Sequence, residues 1–221
     1  LKTINFSKSD GLISNNIYNI YFDQNKKNIW LSSNGGLMNL DFITNKNKPF
    51  TKNYIHSEVE NSISSNIVYG VTKDSNNIFW IATSNGLNRF DAKTNNFSNY
   101  TELNGLANNT IWSITKDKDD NLWLGTTNGL SKFNTHSPKK QEYLFKNYSI
   151  TDGLQDNEFN QGASFVCSDG SILVGGLNGF NYFNPREIKD NLITPPTFIY
   201  SFSRQGKEIQ LDSSMFYKKF I

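Results

Sequence analysis

The chain has 221 residues, enough to bury roughly 70% of its unfolded surface in a core without disulfides or metal. A formal charge of +2 excludes a nucleic-acid footprint or an acidic tail, a single cysteine (Cys167) excludes an internal disulfide, and no apolar run reaches the ~18 residues of a membrane span. Thirty-three asparagines and 14% aromatics give an all-β balance, Asn and Gly supplying turns while aromatic and β-branched residues supply strands.

Leu1–Asp10 lacks the charged and apolar regions of a signal peptide. TINFSKSDGL at 3–12 aligns with FKNYSITDGL at 145–154, so residues 1–9 are expected to form the outer strand of a sheet that precedes the chain or is completed by its end. The first full unit, 10–60, holds NNIYNIYFD at 15–23 and NIWLSSNGGLMNL at 28–40. Its pattern returns at 61–103 as NIVYGVTKD and NIFWIATSNGLNRF, and at 104–151 as NTIWSITKD and NLWLGTTNGLSKF. A looser copy at 152–190 reads GASFVCSD and SILVGGLNGFNYF. The apolar anchors Trp30, Trp80, Trp123 and Leu173 are spaced 50, 43 and 50 residues apart, and six residues after each comes Gly36, Gly86, Gly129 or Gly179. An aromatic pair closes each of the first three units at Phe50/Tyr54, Phe97/Tyr100 and Phe145/Tyr148.

Each unit thus contains four short strand-like runs, in the third about 110–116, 121–126, 129–133 and 143–148. DKDDN at 117–121 and DSNN at 74–77 read as turns after the first strand, DFITNK at 41–46 and DAKTNN at 91–96 as turns after the third. Four antiparallel strands every ~40–50 residues are the unit of a β-propeller blade. A lone blade leaves both faces apolar, and stacking blades radially buries them. The repeated Trp and Leu are then inter-blade core, and Asn-Gly supplies the positive φ of the tight turn. The fourth unit meets Asn184-Pro185 where its outer strand should start, so the blades are expected to be a segment of a larger ring. In the tail, 191–221, TFIYSFSRQGKEIQL alternates like a hairpin turning at Gln205-Gly206 and reads as the first strands of a β-sandwich.

The pattern carried by Gly105-Leu106, Asn109, Ile111, Ile114 and Asp117, followed by NLWLGTTNGLSKF, resembles the two-component regulator propeller repeat. GGLNGFNYFNP at 175–185, followed by PPTFIYSF, resembles the junction between the last such blade and an Ig-like domain. The first two units depart from Gly-Thr with Ser32-Ser33 and Ala82-Thr83. The resemblance implies seven-bladed rings in the periplasmic part of Bacteroidetes hybrid two-component sensors. It implies an oligosaccharide ligand, a homodimeric receptor, and a transmembrane helix and histidine kinase outside this chain. No nucleic-acid contact and no cofactor is implied for this segment.

Catalysis and metal binding have little support in the residues. His56 and His136 sit in variable connections with no Cys at metal spacing. DKDDN opens like a calcium loop, but Leu122 stands where Gly is required and Asn128 where Glu is required, so turn formation explains it. The binding expectation is geometric. Loops entering the innermost strand and those joining strands two and three open on one face of a propeller, and here they carry Asn34, Asn85, Asn128 and Asn178. Candidate ligand residues are Asn16, Tyr18, Asn66, Tyr69, Asn109 and Trp112, with Glu158 and Asn160 where NEFNQG breaks the repeat. Amides pair with sugar hydroxyls and aromatic faces stack on pyranose C–H groups, whereas blade packing is the plainer reading of the three aromatics. A protein-interaction scaffold and a carbohydrate-active propeller enzyme are the alternatives to a sensor.

Overall fold

The computed structural model describes residues 3–41, 50–59, 61–136, 144–189, 202–204 and 207–209. Most of the 41–46 turn, Lys139-Lys140, the paired prolines 195 and 196, the Gln205-Gly206 turn and Lys218-Lys219 lie outside them. Within residues 1–187 the chain forms three four-stranded antiparallel blades and one three-stranded blade. Blade 1 comprises β1 (Ile17–Asp23), β2 (Asn28–Ser33), β3 (Gly36–Asp41) and β4 (Phe50–Tyr54). Blade 2 comprises β5 (Val68–Lys73), β6 (Phe79–Thr83), β7 (Gly86–Asp91) and β8 (Asn96–Tyr100). Blade 3 comprises β9 (Ile111–Lys116), β10 (Leu122–Thr126), β11 (Gly129–Phe133) and β12 (Phe145–Tyr148). Blade 4 has β13 (Phe159–Val166), β14 (Ile172–Gly176) and β15 (Gly179–Phe183). The expected all-β propeller architecture is present, and the inner strands β1, β5, β9 and β13 lie side by side in that order.

The anchors do what their spacing implies. Trp30, Trp80 and Trp123 are 3%, 3% and 1% exposed. Each packs on the outer-strand tyrosine of its own blade, Tyr54 at 5.7 Å, Tyr100 at 6.1 Å and Tyr148 at 5.8 Å between ring centroids. Each also meets a third-strand phenylalanine of the following blade, Phe90 at 6.1 Å, Phe133 at 4.9 Å and Phe183 at 4.8 Å. Such pairs add about 0.5–1.5 kcal/mol each beyond area burial. Leu173 fills the slot in blade 4 and is half-buried. On that outer face Phe165, Phe180 and Tyr182 are exposed, whereas Leu37, Leu87 and Leu130, which share the slot of Phe180, are fully buried.

The tight turns after the second strands are closed by one device. Ser33, Thr83 and Thr126 donate their hydroxyls to the carbonyls of Gly36, Gly86 and Gly129 at 2.7, 2.8 and 2.7 Å. The same oxygens accept from the backbone N–H of Gly35, Asn85 and Asn128. Serine supports this bond as well as threonine, so the departure at Ser32-Ser33 leaves the turn intact. Gly129 has φ +105°, and a Cβ there would collide with the Tyr148 carbonyl.

Residues 3–6, expected as an outer strand, join no strand among the described residues; Phe6 packs against a cluster of Leu12, Leu31, Met38 and Leu40 at blade 1. Blade 4 has three strands among the described residues, in keeping with the break at Asn184-Pro185. The second unit, 188–221, contributes the hairpin β16 (Phe202–Arg204) and β17 (Lys207–Ile209), placed around the expected turn.

Candidate functional site

Three kinds of side chain shape the loop end of the blades, and most of them serve the scaffold. Asn66 accepts the His56 N–H on Oδ1 at 2.7 Å, and Asn109 accepts the Glu102 N–H at 2.9 Å. Asn157 and Asn15 do the same for Ile150 and Lys8. These four asparagines are structural equivalents, each pinning the connection that enters the inner strand. Asn16 lies one residue further on, is exposed, and donates from Nδ2 to the Tyr18 hydroxyl at 3.4 Å. A second set of bonds ties the entering loops to the strand-two turns: Ser14 to Asn34, Ser65 to Ser84, Asn108 to Thr127 and Gln155 to Asn178.

The aromatic candidates are different. Every inner strand carries a β-bulge just after its first residue. Ile17 pairs with Ser33 and Asn19 with Ser32, and Val68 pairs with Thr83 and Gly70 with Ala82. Ile111 pairs with Thr126 and Ser113 with Gly125. The residues left unpaired are Tyr18, Tyr69 and Trp112. A bulge releases one residue from the ladder and re-aims its side chain. Here the three rings meet across blades: Tyr18 stacks on Tyr69 with centroids 5.7 Å apart at 25°, and Tyr69 lies against Trp112 at 4.5 Å and 50°. Tyr69, between two rings, is only 8% exposed, and burial together with the neighbouring Tyr18 phenol pushes its hydroxyl pKa up. Tyr69 is therefore a neutral middle rung, while Tyr18 and Trp112 at the ends are half-buried.

In blade 4 the bulge is longer. Phe159 pairs with Gly176 and Ser164 with Val174; between them stand Asn160, Gln161 and Gly162, all exposed, and the half-buried Ala163 beside Gly175, an excess of three residues over the partner strand. Asn160 follows Phe159 as Trp112 follows Ile111, so the fourth blade puts an amide where the others put a ring. Gly176 replaces the hydroxyl of the other blades because Gln155 occupies its place: a Cβ at 176 would collide with Gln155 Nε2 and the Glu158 carbonyl. Glu158 is exposed beside this loop, and its carbonyl accepts the Leu177 N–H at 3.2 Å. Trp112 Nε1, Ser113 Oγ and Gln155 Nε2 are buried atoms with no hydrogen-bond partner among the described residues.

At the opposite end, the turn after β9 is tied to blade 4, both to the turn after β13 and to the segment after β15. Arg186 donates from Nη2 and Nε to the two carboxylate oxygens of Asp119 at 2.8 and 3.2 Å, which holds the Asp119 carboxyl below the usual range. Lys118 Nζ donates to the Ser168 carbonyl at 3.0 Å. The carboxylate of Asp117 accepts from the Asp119 and Asn121 N–H groups and from Trp123 Nε1, so its oxygens serve the turn and the core. His56 Nδ1 lies 2.7 Å from the Ile63 carbonyl, and His136 Nε2 lies 3.7 Å from Asp120, well apart in the fold. Among the described residues no three His, Cys, Asp or Glu side chains gather as a metal centre requires.

One relation escaped the sequence reading. Asp74 Oδ2 accepts from Trp80 Nε1 at 2.9 Å and Asp117 Oδ2 from Trp123 Nε1 at 3.0 Å, both six residues apart. In blade 4 the two slots hold Cys167 and Leu173, donor and acceptor lost together. In blade 1 a longer turn separates Asp23 from Trp30 by seven residues; Asp23 instead pairs with Lys73 at 2.6 Å, and Trp30 Nε1 has no partner among the described residues. The identical spacing in two units was the available signal.

The chain is thus a run of β-propeller blades whose inner-strand bulges bring an aromatic ladder and an amide loop to one end of the axis. Residues 11–35, 62–85 and 105–128 match the two component regulator propeller family. Among solved structures, the extracellular domain of BT4673 from B. thetaiotaomicron, assigned as a one component system, superposes with a TM-score of 0.64 at 25% identity over 78% of this chain. A second structure of that domain, assigned to a hybrid two component system, gives 0.63 at 24% identity over 78%. The extracellular domain of BT3049 from the same organism, also assigned to a hybrid two component system, gives 0.53 at 20% identity over 96%. The chain spans 24% of the length of each BT4673 structure and 34% of BT3049. No curated protein sequence matches it significantly.

Proposed function

We propose that these blades are part of the periplasmic ligand-sensing propeller of a hybrid two-component sensor histidine kinase, anchored in the inner membrane by a segment outside this chain. The ligand is an oligosaccharide from polysaccharide breakdown, and the output is transcription of glycan-utilisation genes. The observation that carries the reading is the bulge: one position per blade is taken out of the ladder and presented with its neighbours at the loop end. Three of these positions are aromatic and one is an exposed amide. Rings and amides without a clustered charge suit neutral polyols. The family match and the likeness to the extracellular domain of BT4673, assigned in one structure to a one component and in another to a hybrid two component system, support the sensory part.

Isothermal calorimetry of the chain against digests of plant and microbial polysaccharides tests the reading, with saturable heat expected from at least one digest. A second reading, a protein-interaction scaffold, is favoured by one observation, the exposed Phe165, Phe180 and Tyr182 on the outer face of blade 4. Saturable binding to a protein together with silence toward every digest would select it.

A further inference from the structure

The aromatic ladder stops one blade short. We propose that a single pyranose ring docks as its fourth rung, stacked on Trp112 and held by the amides of Asn160 and Gln161; this rests on the oligosaccharide reading above and gives it a location. Tyr18, Tyr69 and Trp112 each follow the first ladder residue of their inner strand, and Asn160 holds the equivalent place in blade 4. Successive rungs lie 5.7 and 4.5 Å apart, ordinary stacking distances. Tyr69 of blade 2 covers one side of Trp112, and the neighbour on the other side of blade 3 is blade 4. There the chain presents an amide, a second amide and a glycine. Gly162 has φ +67°, and a Cβ at that position would meet nothing within 4 Å, so the loop borders open space.

The polar atoms around this position point the same way. Trp112 Nε1, Ser113 Oγ and Gln155 Nε2 are buried without a partner among the described residues. Two of them belong to the junction of blades 3 and 4: Ser113 Oγ lies beside Gly125, against which Phe159 packs, and Gln155 Nε2 lies beside Gly176, the ladder partner of Phe159, while Trp112 Nε1 sits on the ring that lies against Tyr69. Unsatisfied buried donors are uncommon in folded proteins. Blade 1 holds others, Trp30 Nε1, Ser32 Oγ and Asn39 Nδ2 among them, but those at the junction of blades 3 and 4 lie around Phe159, which precedes the exposed amides of Asn160 and Gln161, where a polar ligand or its bridging waters can supply acceptors. A pyranose meets both demands, with a C–H face for the indole and hydroxyls for the amides. The other junctions lack this combination. Tyr18 and Tyr69 face each other, and the bulges of blades 1 to 3 are one residue long.

The test uses the whole 221-residue chain and saturation-transfer NMR, which reads weak binding. The probes are the methyl pyranosides of glucose, mannose, galactose and xylose, together with digests of starch, xylan, mannan and pectin. At least one saccharide is expected to bind, with its axial C–H protons receiving the most saturation. Trp112→Ala and Asn160→Ala/Gln161→Ala are expected to weaken it about tenfold or more, and Trp112→Phe by only about twofold to threefold. Should Trp112→Ala fail to fold, Asn160→Tyr carries the test: position 160 is exposed, and a tyrosine there supplies the fourth rung from the protein and abolishes binding. A saccharide that binds with unchanged affinity to Asn160→Tyr and to the double alanine variant overturns the fourth-rung site while leaving the sensing reading standing. Silence of the unaltered chain toward every probe and digest overturns the oligosaccharide reading, and the site with it.

Discussion

Asp117→Ala should destabilise the blades far more than loss of a surface aspartate, and its cost should depend on Trp123. The carboxylate is 4% exposed and accepts from Trp123 Nε1 at 3.0 Å, Asn121 N at 2.8 Å and Asp119 N at 2.9 Å. Removing it leaves the N–H of a tryptophan that is 1% exposed without an acceptor. A buried donor so stranded costs about 1–3 kcal/mol. The turn amides recover water, and losing their side-chain acceptor adds about 1 kcal/mol, as at a helix N-cap. A total near 3 kcal/mol lowers the melting temperature by roughly 6–12 °C for a unit of this size. Trp123→Phe removes the donor as well as ring area, and in that background Asp117→Ala should cost about 1–2 kcal/mol less. The assay is a double-mutant cycle by urea unfolding, followed by far-UV circular dichroism and by tryptophan fluorescence with matching midpoints. Trp30→Phe is the internal control, because Trp30 Nε1 has no partner among the described residues to lose. Additivity of Asp117→Ala and Trp123→Phe within about 0.5 kcal/mol would refute the coupling and make the repeated spacing incidental.

Three further outcomes follow from the packing. Lys73→Ala leaves Asp23 buried without its cation, both side chains being under 10% exposed, and should cost about 3–5 kcal/mol in urea unfolding, whereas Asp23→Asn with Lys73→Met should recover much of that loss. Gly129→Ala places a Cβ against the Tyr148 carbonyl at φ +105°; a loss of at least about 1–2 kcal/mol is expected, read as a lower thermal midpoint. Burial pushes the Tyr54 phenol up to about 12, so its folded-state pKa lies above its unfolded value near 10. The unfolded chain releases that proton first, and stability is intact below about pH 10 and falls as pH rises toward about 12. Tyr54→Phe should flatten part of this decline, and the absorbance titration at 295 nm should lose its highest step.

The blade frame was legible because its signals are local and repeated. Trp30, Trp80 and Trp123 lie at one strand position, and each is followed by a glycine that the turn geometry demands, so spacing alone placed the second and third strands. At the N-terminus pattern and packing part ways: Phe6 matches Tyr148 in the repeat, while its burial comes from Leu12, Leu31, Met38 and Leu40, residues that follow it in the chain. The bulges were invisible for a physical reason. A bulge is an extra residue relative to a partner strand, and a single strand shows no excess until its register is known. Tyr18, Tyr69 and Trp112 were singled out as following the loops, but that they are the unpaired residues appears only from the ladders β1–β2, β5–β6 and β9–β10. The loop asparagines illustrate the opposite limit. Turn and cap duty is the plainer reading of Asn66 and Asn109, and their amide oxygens accept the His56 and Glu102 N–H groups, partners that the sequence alone does not show.

These assignments divide the repeat into positions that change freely and positions that do not. In blades 2 and 3 the strand-two tryptophan, the aspartate six residues before it, the hydroxyl at the strand end and the pinning asparagine all have polar atoms engaged within the blade and the connection entering it. Altering one strands another, and blade 4 shows what replacement then requires: Cys167 and Leu173 stand together where an acceptor and a donor stood. The bulge residue has no partner residue on the second strand, and its side chain lies against the bulge residues of neighbouring blades. Blade 4 has exploited that freedom by lengthening the bulge from one residue to three while keeping Phe159 opposite Gly176. A propeller built this way alters what it presents at its axis one residue per blade, leaving the packing that holds the blades together unchanged.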